Sequence, residues 1–238
     1  MEEKTFSIEQ HVDELRLRII YCLIAFGLGS VIAWQFTPAI IRFISLPVGK
    51  LVFLSVSEVF FTYLKVTLWS GFFISLPVII YHIWKYVESA LQPHEKKYVL
   101  IFLPFSFGLF LAGAGFAFFL AIPLAVRFLV GFGSGLADPM LSINEYVSFF
   151  SWLLLVFGGA FEFPLVLLFL VKIKVINSSQ LSFYRRHAVL AIFVFAAVLT
   201  PTPDAFTQLL LAGPLLILYE ISVFLARFVK SEAISADL

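Results

Sequence analysis

A single acidic residue inside a long apolar stretch is the first candidate for chemistry in this sequence. Glu162 is the only Asp, Glu, Lys, Arg or His between Tyr146 and Val171. A stretch of this length can cross a bilayer as one helix, and a carboxylate at that depth is costly and rarely kept without a use. Because about 15 Å of helix separates Glu162 from the charged end at Lys172, its carboxyl group is predicted to lie near the middle of the bilayer.

Glu162 has several possible uses. No Lys or Arg is expected at its depth, so an internal salt bridge is not predicted. Its carboxyl group could face a wet cavity, bind and release protons, or bond a polar group on the helix of another chain. It could also be a neutral acid that is hydrogen-bonded to a neighbouring helix for packing, but the cost of burial favours a functional role. The small residues Gly158, Gly159 and Ala160 would let another helix approach closely.

Two short segments combine acidic and basic side chains. Residues 11–18 (HVDELRLR) contain Glu14 and Arg16, and residues 90–97 (ALQPHEKK) contain Glu95. Surface carboxylates suit a ligand that carries arginine, because a guanidinium group can pair with a carboxylate through two hydrogen bonds. Alternatively, the bases anchor the membrane topology and the acids only balance them, and charge alone favours this alternative.

The composition is that of an integral membrane protein. The chain of 238 residues is 61% hydrophobic and 13% charged, whereas a soluble domain is about 25% charged. We predict a single all-α membrane domain over residues 1–230 and a polar cytoplasmic tail over 231–238. The apolar runs predict six transmembrane helices, at approximately residues 19–37, 62–84, 98–124, 147–171, 188–200 and 205–222.

The distribution of basic residues predicts the orientation. Most of the 16 Lys and Arg residues lie before the first run, between the second and third, between the fourth and fifth, and after the sixth. The positive-inside rule therefore predicts that both termini are cytoplasmic. An even number of spans agrees with this prediction.

The last two apolar runs are unusually short. Their uninterrupted apolar parts would form helices of about 20 and 22 Å, against a hydrocarbon core of about 30 Å. They predict either a re-entrant hairpin or two short helices in a locally thinned bilayer. Thr202 is the predicted N-cap of the last helix, with Pro203 at its first position and Asp204 in its first turn.

The sequence offers no set of residues for catalysis. Gly133-Ser134-Gly135 resembles part of a serine-protease motif, but no histidine lies deep in an apolar run to serve as its base. There is no Walker loop, HExxH motif or Cys/His cluster, so neither an enzyme nor a bound metal or cofactor is predicted. A proton-coupled carrier of small solutes is an alternative, because it would also use an acid at mid-membrane.

The polar and proline-containing segments, taken in order, resemble the TatC family, the multispanning receptor subunit of the twin-arginine protein translocase. The resemblance covers about residues 11–230 and implies a concave bundle of six helices. It is carried by residues 11–18 (HVDELRLR), 45–47 (SLP), 76–81 (LPVIIY), 90–95 (ALQPHE), 157–164 (FGGAFEFP), 199–201 (LTP) and 203–208 (PDAFTQ).

The resemblance implies a function in binding and assembly without covalent chemistry. It implies that twin-arginine signal peptides of folded proteins bind at the cytoplasmic face of the inner membrane, with Glu14 and Glu95 as the recognition acids. The residues expected to bind the signal peptide are Glu14, Arg16, Glu95, His11, Lys96 and Lys97.

The resemblance also implies partners within the membrane. Glu162 matches the intramembrane acid of the family, and Asp204 and Gln208 match polar positions near which the single-span TatA and TatB subunits are thought to dock. It implies export driven by the proton-motive force, an oligomeric complex in contact with membrane lipid, and no nucleic-acid partner.

Overall fold

The described part of the chain is mostly helical. The computed structural model describes residues 8–46, 48–49, 51–89, 91–93, 95–132, 140–202 and 204–228. The predicted tail at 231–238, the Gly133-Ser134-Gly135 motif and Pro203 lie outside these residues. Within them the α-helices are α1 (Ile8–Ser45), α2 (Val56–Ser89), α3 (Lys96–Phe116), α4 (Ile122–Phe132), α5 (Ile143–Phe161), α6 (Phe163–Lys172), α7 (Ser178–Phe183), α8 (Arg185–Leu199) and α9 (Ala205–Ala226), and a π-helix at Ala117–Ala121 joins α3 to α4.

Helix length and apolarity confirm the predicted class of all-α integral membrane protein. The described residues contain five helical stretches that are long and apolar enough to cross a membrane: His11–Ser45, Val56–Ser89, Lys96–Phe132, Ile143–Lys172 and Ala205–Ala226. The sixth predicted span corresponds to α8, which has 15 residues and is therefore about 22 Å long. The count of six spans stays a prediction.

The prediction that both final helices are short is wrong for α9. This helix has 22 residues and continues to Ala226, so it is about 33 Å long. A single Glu220 interrupts its apolar sequence without ending the helix. The predicted cap is also wrong, because the N-cap is Asp204, whose Oδ1 accepts a hydrogen bond from the Thr207 N–H at 2.7 Å.

The fourth predicted span is not one uninterrupted helix. Helix α5 ends at Phe161 and α6 begins at Phe163, with Glu162 forming a turn between them. Pro164 lies in the first turn of α6 and has no N–H to donate to the preceding turn. The break therefore falls at the acidic residue, where the backbone ladder is already interrupted.

The chain forms two compact units, each with its own packing. The first contains Met1–Phe107 and Met140–Ser148, and the second contains Gly108–Pro139 and Phe149–Leu238. Helices α3 and α5 each contribute residues to both units.

Close contact between α1 and α2 organises the first unit. A Cβ atom added at Gly29 would lie 2.7 Å from the carbonyl oxygen of Gly71, so the two backbones touch at this crossing. Membrane helices pack closely through small residues of this kind. The hydroxyls of Thr37 and Thr67 are 2.8 Å apart at one side of the crossing. The first turns of α1 therefore lie beside the last turns of α2.

A buried carboxylate joins the start of α2 to the start of α5 in the same unit. Glu58 is 8% exposed. One of its oxygens accepts the N–H of Leu54 at 2.6 Å, and the other accepts the Ser142 hydroxyl and the N–H of Asn144 at 3.2 Å. Lys65 also donates to the side-chain oxygen of Asn144, at 2.6 Å. These bonds hold two loops together at the end of α2 remote from Ser89.

Helix α9 is central to the second unit. The Tyr219 hydroxyl donates to the backbone oxygen of Leu181 in α7 at 2.7 Å. The ring of Phe206 stacks on that of Phe128 in α4, with centroids 4.2 Å apart. Tyr219 itself is 3% exposed. The contacts of Phe206 and Tyr219 therefore hold α9 in place near its start and in its second half.

Candidate functional site

A cavity of about 480 Å³ lies in the first unit, where α1, α2 and α3 meet. Its volume is within the range of about 300–1,000 Å³ that is typical of sites for small organic ligands. It is lined by Asp13, Glu14, Leu17, Arg18, Lys85, Glu88, Ser89 and Lys96.

Helical periodicity explains how each element contributes to this cavity. Residues 13, 14, 17 and 18 share one face of α1, because residues three or four apart are neighbours on a helix. Residues 85, 88 and 89 do the same in the last turns of α2, and Lys96 is the first residue of α3. Six of the eight lining side chains are ionisable, and acids and bases are equal in number.

Two of the three acids are paired with a base of their own helix. Glu14 accepts hydrogen bonds from the Nε and Nη2 atoms of Arg18, the first at 3.1 Å. The two oxygens of Glu88 lie 3.0 and 2.9 Å from the Nζ of Lys85. Asp13 has no ion pair within the described parts of the chain.

The cavity contains only part of the predicted peptide-binding set. Glu14 and Lys96 line it, whereas Glu95, the residue before Lys96, does not. The Oε2 of Glu95 accepts a hydrogen bond from the backbone N–H of Gln92 at 3.1 Å. The structure therefore does not place the two predicted recognition acids together in one lining.

The remaining predicted peptide-binding residues also lie outside the lining. The ring of His11 lies 5.0 Å from that of Tyr86, between centroids, and contributes to the packing of α1 on α2. Arg16 is exposed. The Nζ of Lys97 lies 5.3 Å from the ring centroid of Tyr98.

Lys85 and Glu88 are cavity residues that the sequence analysis did not select. The available signal was their spacing of three residues, which places an acid and a base on one helix face. That spacing alone could not show that this face of α2 meets the face of α1 that carries Glu14.

The polar residues predicted within or beside the membrane are in the second unit. Glu162 is half-buried in the turn between α5 and α6. The side-chain amide of Gln208 donates to the backbone oxygen of Phe193 at 3.0 Å and so joins α9 to α8. Burial by itself would raise the pKa of Asp204, but hydrogen bonds to its carboxylate, including that from the Thr207 N–H, outweigh burial and hold the pKa below its usual value.

The fold and the cavity define a class: an all-helical, multi-pass membrane protein with a charged cavity at one end of two packed helices. The family model of TatC, the Sec-independent protein translocase protein, matches residues 10–214. The chain belongs to the TatC family. It is therefore a component of the twin-arginine translocation system, a transport protein and not an enzyme.

Individual relatives resemble nearly the whole chain. The Sec-independent protein translocase protein TatC of Carboxydothermus hydrogenoformans is 40% identical over 241 residues, which cover 100% of this chain and 99% of the relative. TatC of Aquifex aeolicus is 42% identical over 228 residues, covering 92% of this chain and 94% of the relative. These matches do not favour the alternative of a small-solute carrier.

The structural comparison agrees with the sequence comparisons. A crystal structure described as the twin-arginine translocase receptor TatC superposes with a TM-score of 0.81 at 42% sequence identity. The superposition covers 92% of this chain and 99% of that structure.

Proposed function

We propose that this chain is the receptor subunit that binds twin-arginine signal peptides of folded proteins, and that the two arginines bind in the cavity. The observation that carries the proposal is the position of Glu14, a partly buried carboxylate in the wall of a cavity large enough for arginine side chains. The description of the superposed crystal structure as a twin-arginine translocase receptor supports it.

The chemistry of the cavity suits arginine. A carboxylate and a guanidinium group are planar and can form two parallel charge-assisted hydrogen bonds. The Arg18 guanidinium already donates two hydrogen bonds to one oxygen of Glu14, which supports the proposal that this carboxylate can accept from a guanidinium group. Leu17 supplies an apolar surface for the methylene stem of an incoming arginine.

The other predicted peptide-binding residues are assigned supporting roles. Glu95 contributes a second carboxylate once its bond to the Gln92 N–H is exchanged for a ligand. The bases Arg16, Lys96 and Lys97 offset the acids of these segments at the membrane surface, and His11 packs against Tyr86. Basic residues of this kind favour the cytoplasmic side, so we propose that both termini are cytoplasmic and that the cavity opens at the cytoplasmic face of the inner membrane.

We also propose that the second unit serves assembly with TatA-type and TatB-type single-span subunits, in an oligomeric complex that contacts membrane lipid. The support is the position of the half-buried Glu162 in an otherwise apolar stretch, since a carboxyl group at membrane depth can hydrogen-bond a polar group on the helix of another subunit. Asp204 stabilises the start of α9 and Gln208 stabilises its contact with α8, so both residues maintain the helix packing that partner subunits would meet. Transport itself would draw on the proton-motive force.

Peptide binding by the purified full chain in lipid nanodiscs tests the receptor proposal. A fluorescent signal peptide with an Arg-Arg pair should bind more tightly than the same peptide with Lys-Lys, because lysine lacks the second parallel hydrogen bond. Glu14→Gln and Glu95→Gln should each weaken Arg-Arg binding, by about tenfold for Glu14, the loss expected for one charge-assisted hydrogen bond.

A matched control separates recognition from overall charge. Glu145→Gln makes the same charge change at an exposed residue that does not line the cavity, and it should bind like the unmodified chain. Equal affinity for the two peptides in the unmodified chain, together with unchanged affinity in Glu14→Gln, would contradict the proposed function.

A further inference from the structure

Glu88 is a carboxylate of the cavity with no assigned role. It lies in the last turn of α2 and lines the same cavity as Glu14 of α1. Its side chain is 19% exposed, similar to the 25% of Glu14. The cavity therefore presents two partly buried carboxylates, one from each of its two main helices.

Each of these carboxylates is occupied by a base of its own helix. Arg18 is four residues after Glu14, and Lys85 is three residues before Glu88. Ion pairs at such spacing are weak in partly exposed positions. A ligand that forms better hydrogen bonds with the carboxylate can therefore displace the internal base.

We propose that Glu88 is a further guanidinium-binding residue beside Glu14 and Glu95, and that Arg18 and Lys85 are internal placeholders that the arginines of a signal peptide displace from Glu14 and Glu88. This inference rests on the proposed function, because it assumes that the cavity receives the arginine pair. It adds a carboxylate of α2 to the acids that bind the arginine pair.

The difference between the two placeholders predicts where selectivity arises. At Glu14 an incoming guanidinium replaces a guanidinium. At Glu88 it replaces an ammonium group, and the gain of a planar, bidentate pair favours arginine over the lysine already present. A lysine ligand would exchange like for like and gain nothing. An arginine ligand therefore gains affinity by displacing Lys85 from Glu88, whereas a lysine ligand does not.

The exposure of the two internal bases agrees with the displacement of Lys85 by an arginine ligand. The Lys85 side chain is 43% exposed, whereas that of Arg18 is 16% exposed. A displaced Lys85 can extend into water and keep its charge solvated. We therefore assign the exchange that discriminates between arginine and lysine to Glu88.

Two substitutions with opposite expected effects test the inference in the full chain in nanodiscs, with the Arg-Arg and Lys-Lys peptides as probes. Glu88→Gln should weaken Arg-Arg binding by about tenfold and leave Lys-Lys binding within about twofold. Lys85→Gln removes the base that a ligand must displace from Glu88, so it should tighten Lys-Lys binding by more than it tightens Arg-Arg binding. The ratio of the two affinities should therefore fall in both variants, through different peptides.

Tighter Lys-Lys binding in Lys85→Gln cannot result from misfolding, so this arm does not depend on the stability of the variant. Glu145→Gln again serves as the charge control. If the unmodified chain prefers Arg-Arg and Glu14→Gln weakens binding, but the affinity ratio is unchanged in both Glu88→Gln and Lys85→Gln, the inference is wrong and the receptor function stands. If the unmodified chain shows no preference and Glu14→Gln binds the peptides like the unmodified chain, both are wrong.

Discussion

Substitution of Gly71 tests whether the crossing of α1 and α2 determines the stability of the first unit. A Cβ atom at this position would lie 2.6 Å from both the Cα and the N atom of Ser30 and would also meet its Oγ. Ordinary contacts of a Cβ atom are longer by most of an ångström, and two of the contacted atoms are backbone. Gly71→Ala must therefore move the helices apart.

The magnitude follows from two contributions. Overpacking a close contact costs about 1–3 kcal/mol. Separation of the helices also weakens the buried Thr37–Thr67 hydrogen bond near the crossing, which contributes about 1 kcal/mol. We expect a loss of about 3 kcal/mol, which corresponds to a decrease in Tm of roughly 6–12 °C for a chain of this size.

The assay is thermal unfolding of the purified chain in detergent, followed by loss of the monodisperse peak in size-exclusion chromatography. Because unfolding of membrane proteins in detergent is commonly irreversible, variants are compared at one heating rate. Gly27→Ala is the matched control, since a Cβ atom there meets nothing within 4 Å, and replacement of a helical glycine should be neutral or slightly stabilising. A Gly71→Ala variant that melts at or above the temperature of the unmodified chain would refute the proposed packing.

Two further predictions concern the carboxylates of each unit. Glu58→Gln replaces an acceptor oxygen by an amide that faces the donors Leu54, Ser142 and Asn144. The Tm of this variant should fall further than that of Ser142→Ala, while the preference for the Arg-Arg peptide is retained. A loss of that preference without a loss of stability would contradict a purely structural role of Glu58. Glu162→Ala should leave Arg-Arg peptide affinity unchanged but reduce co-purification with TatA-type and TatB-type subunits and export in cells, and normal export would rule out the assembly role.

Much of the fold could be predicted because the apolar pattern that indicates a membrane helix lies within the sequence of that helix. Each apolar run of sufficient length predicts a span, and basic residues at the ends predict orientation. The end of α9 was missed because Glu220 interrupts the apolar run, and its side chain pairs with Arg185 at 3.2 Å while the helix continues. The break at Glu162 had a local signal in Pro164 that the length of the apolar run concealed.

The candidate site was predictable only in part. The acidic and basic residues of α1 are contiguous in sequence, so Glu14 could be selected from its segment. The role of Glu58 could not be predicted from the sequence, because its partner Ser142 is 84 residues away. No local pattern connects residues at that separation.

The sequence by itself determined the membrane class, the absence of catalytic motifs and the resemblance to the TatC family, since each depends on composition or on short-range spacing. Tertiary structure decided which charged residues share a cavity. The contact of Gly29 with Gly71 sets the register of α1 on α2, and that register brings Glu14 and Glu88 to one cavity while Glu95 lies outside its lining. The physical reason is that helical periodicity fixes which residues share a face of one helix, whereas the crossing of two helices decides which faces meet.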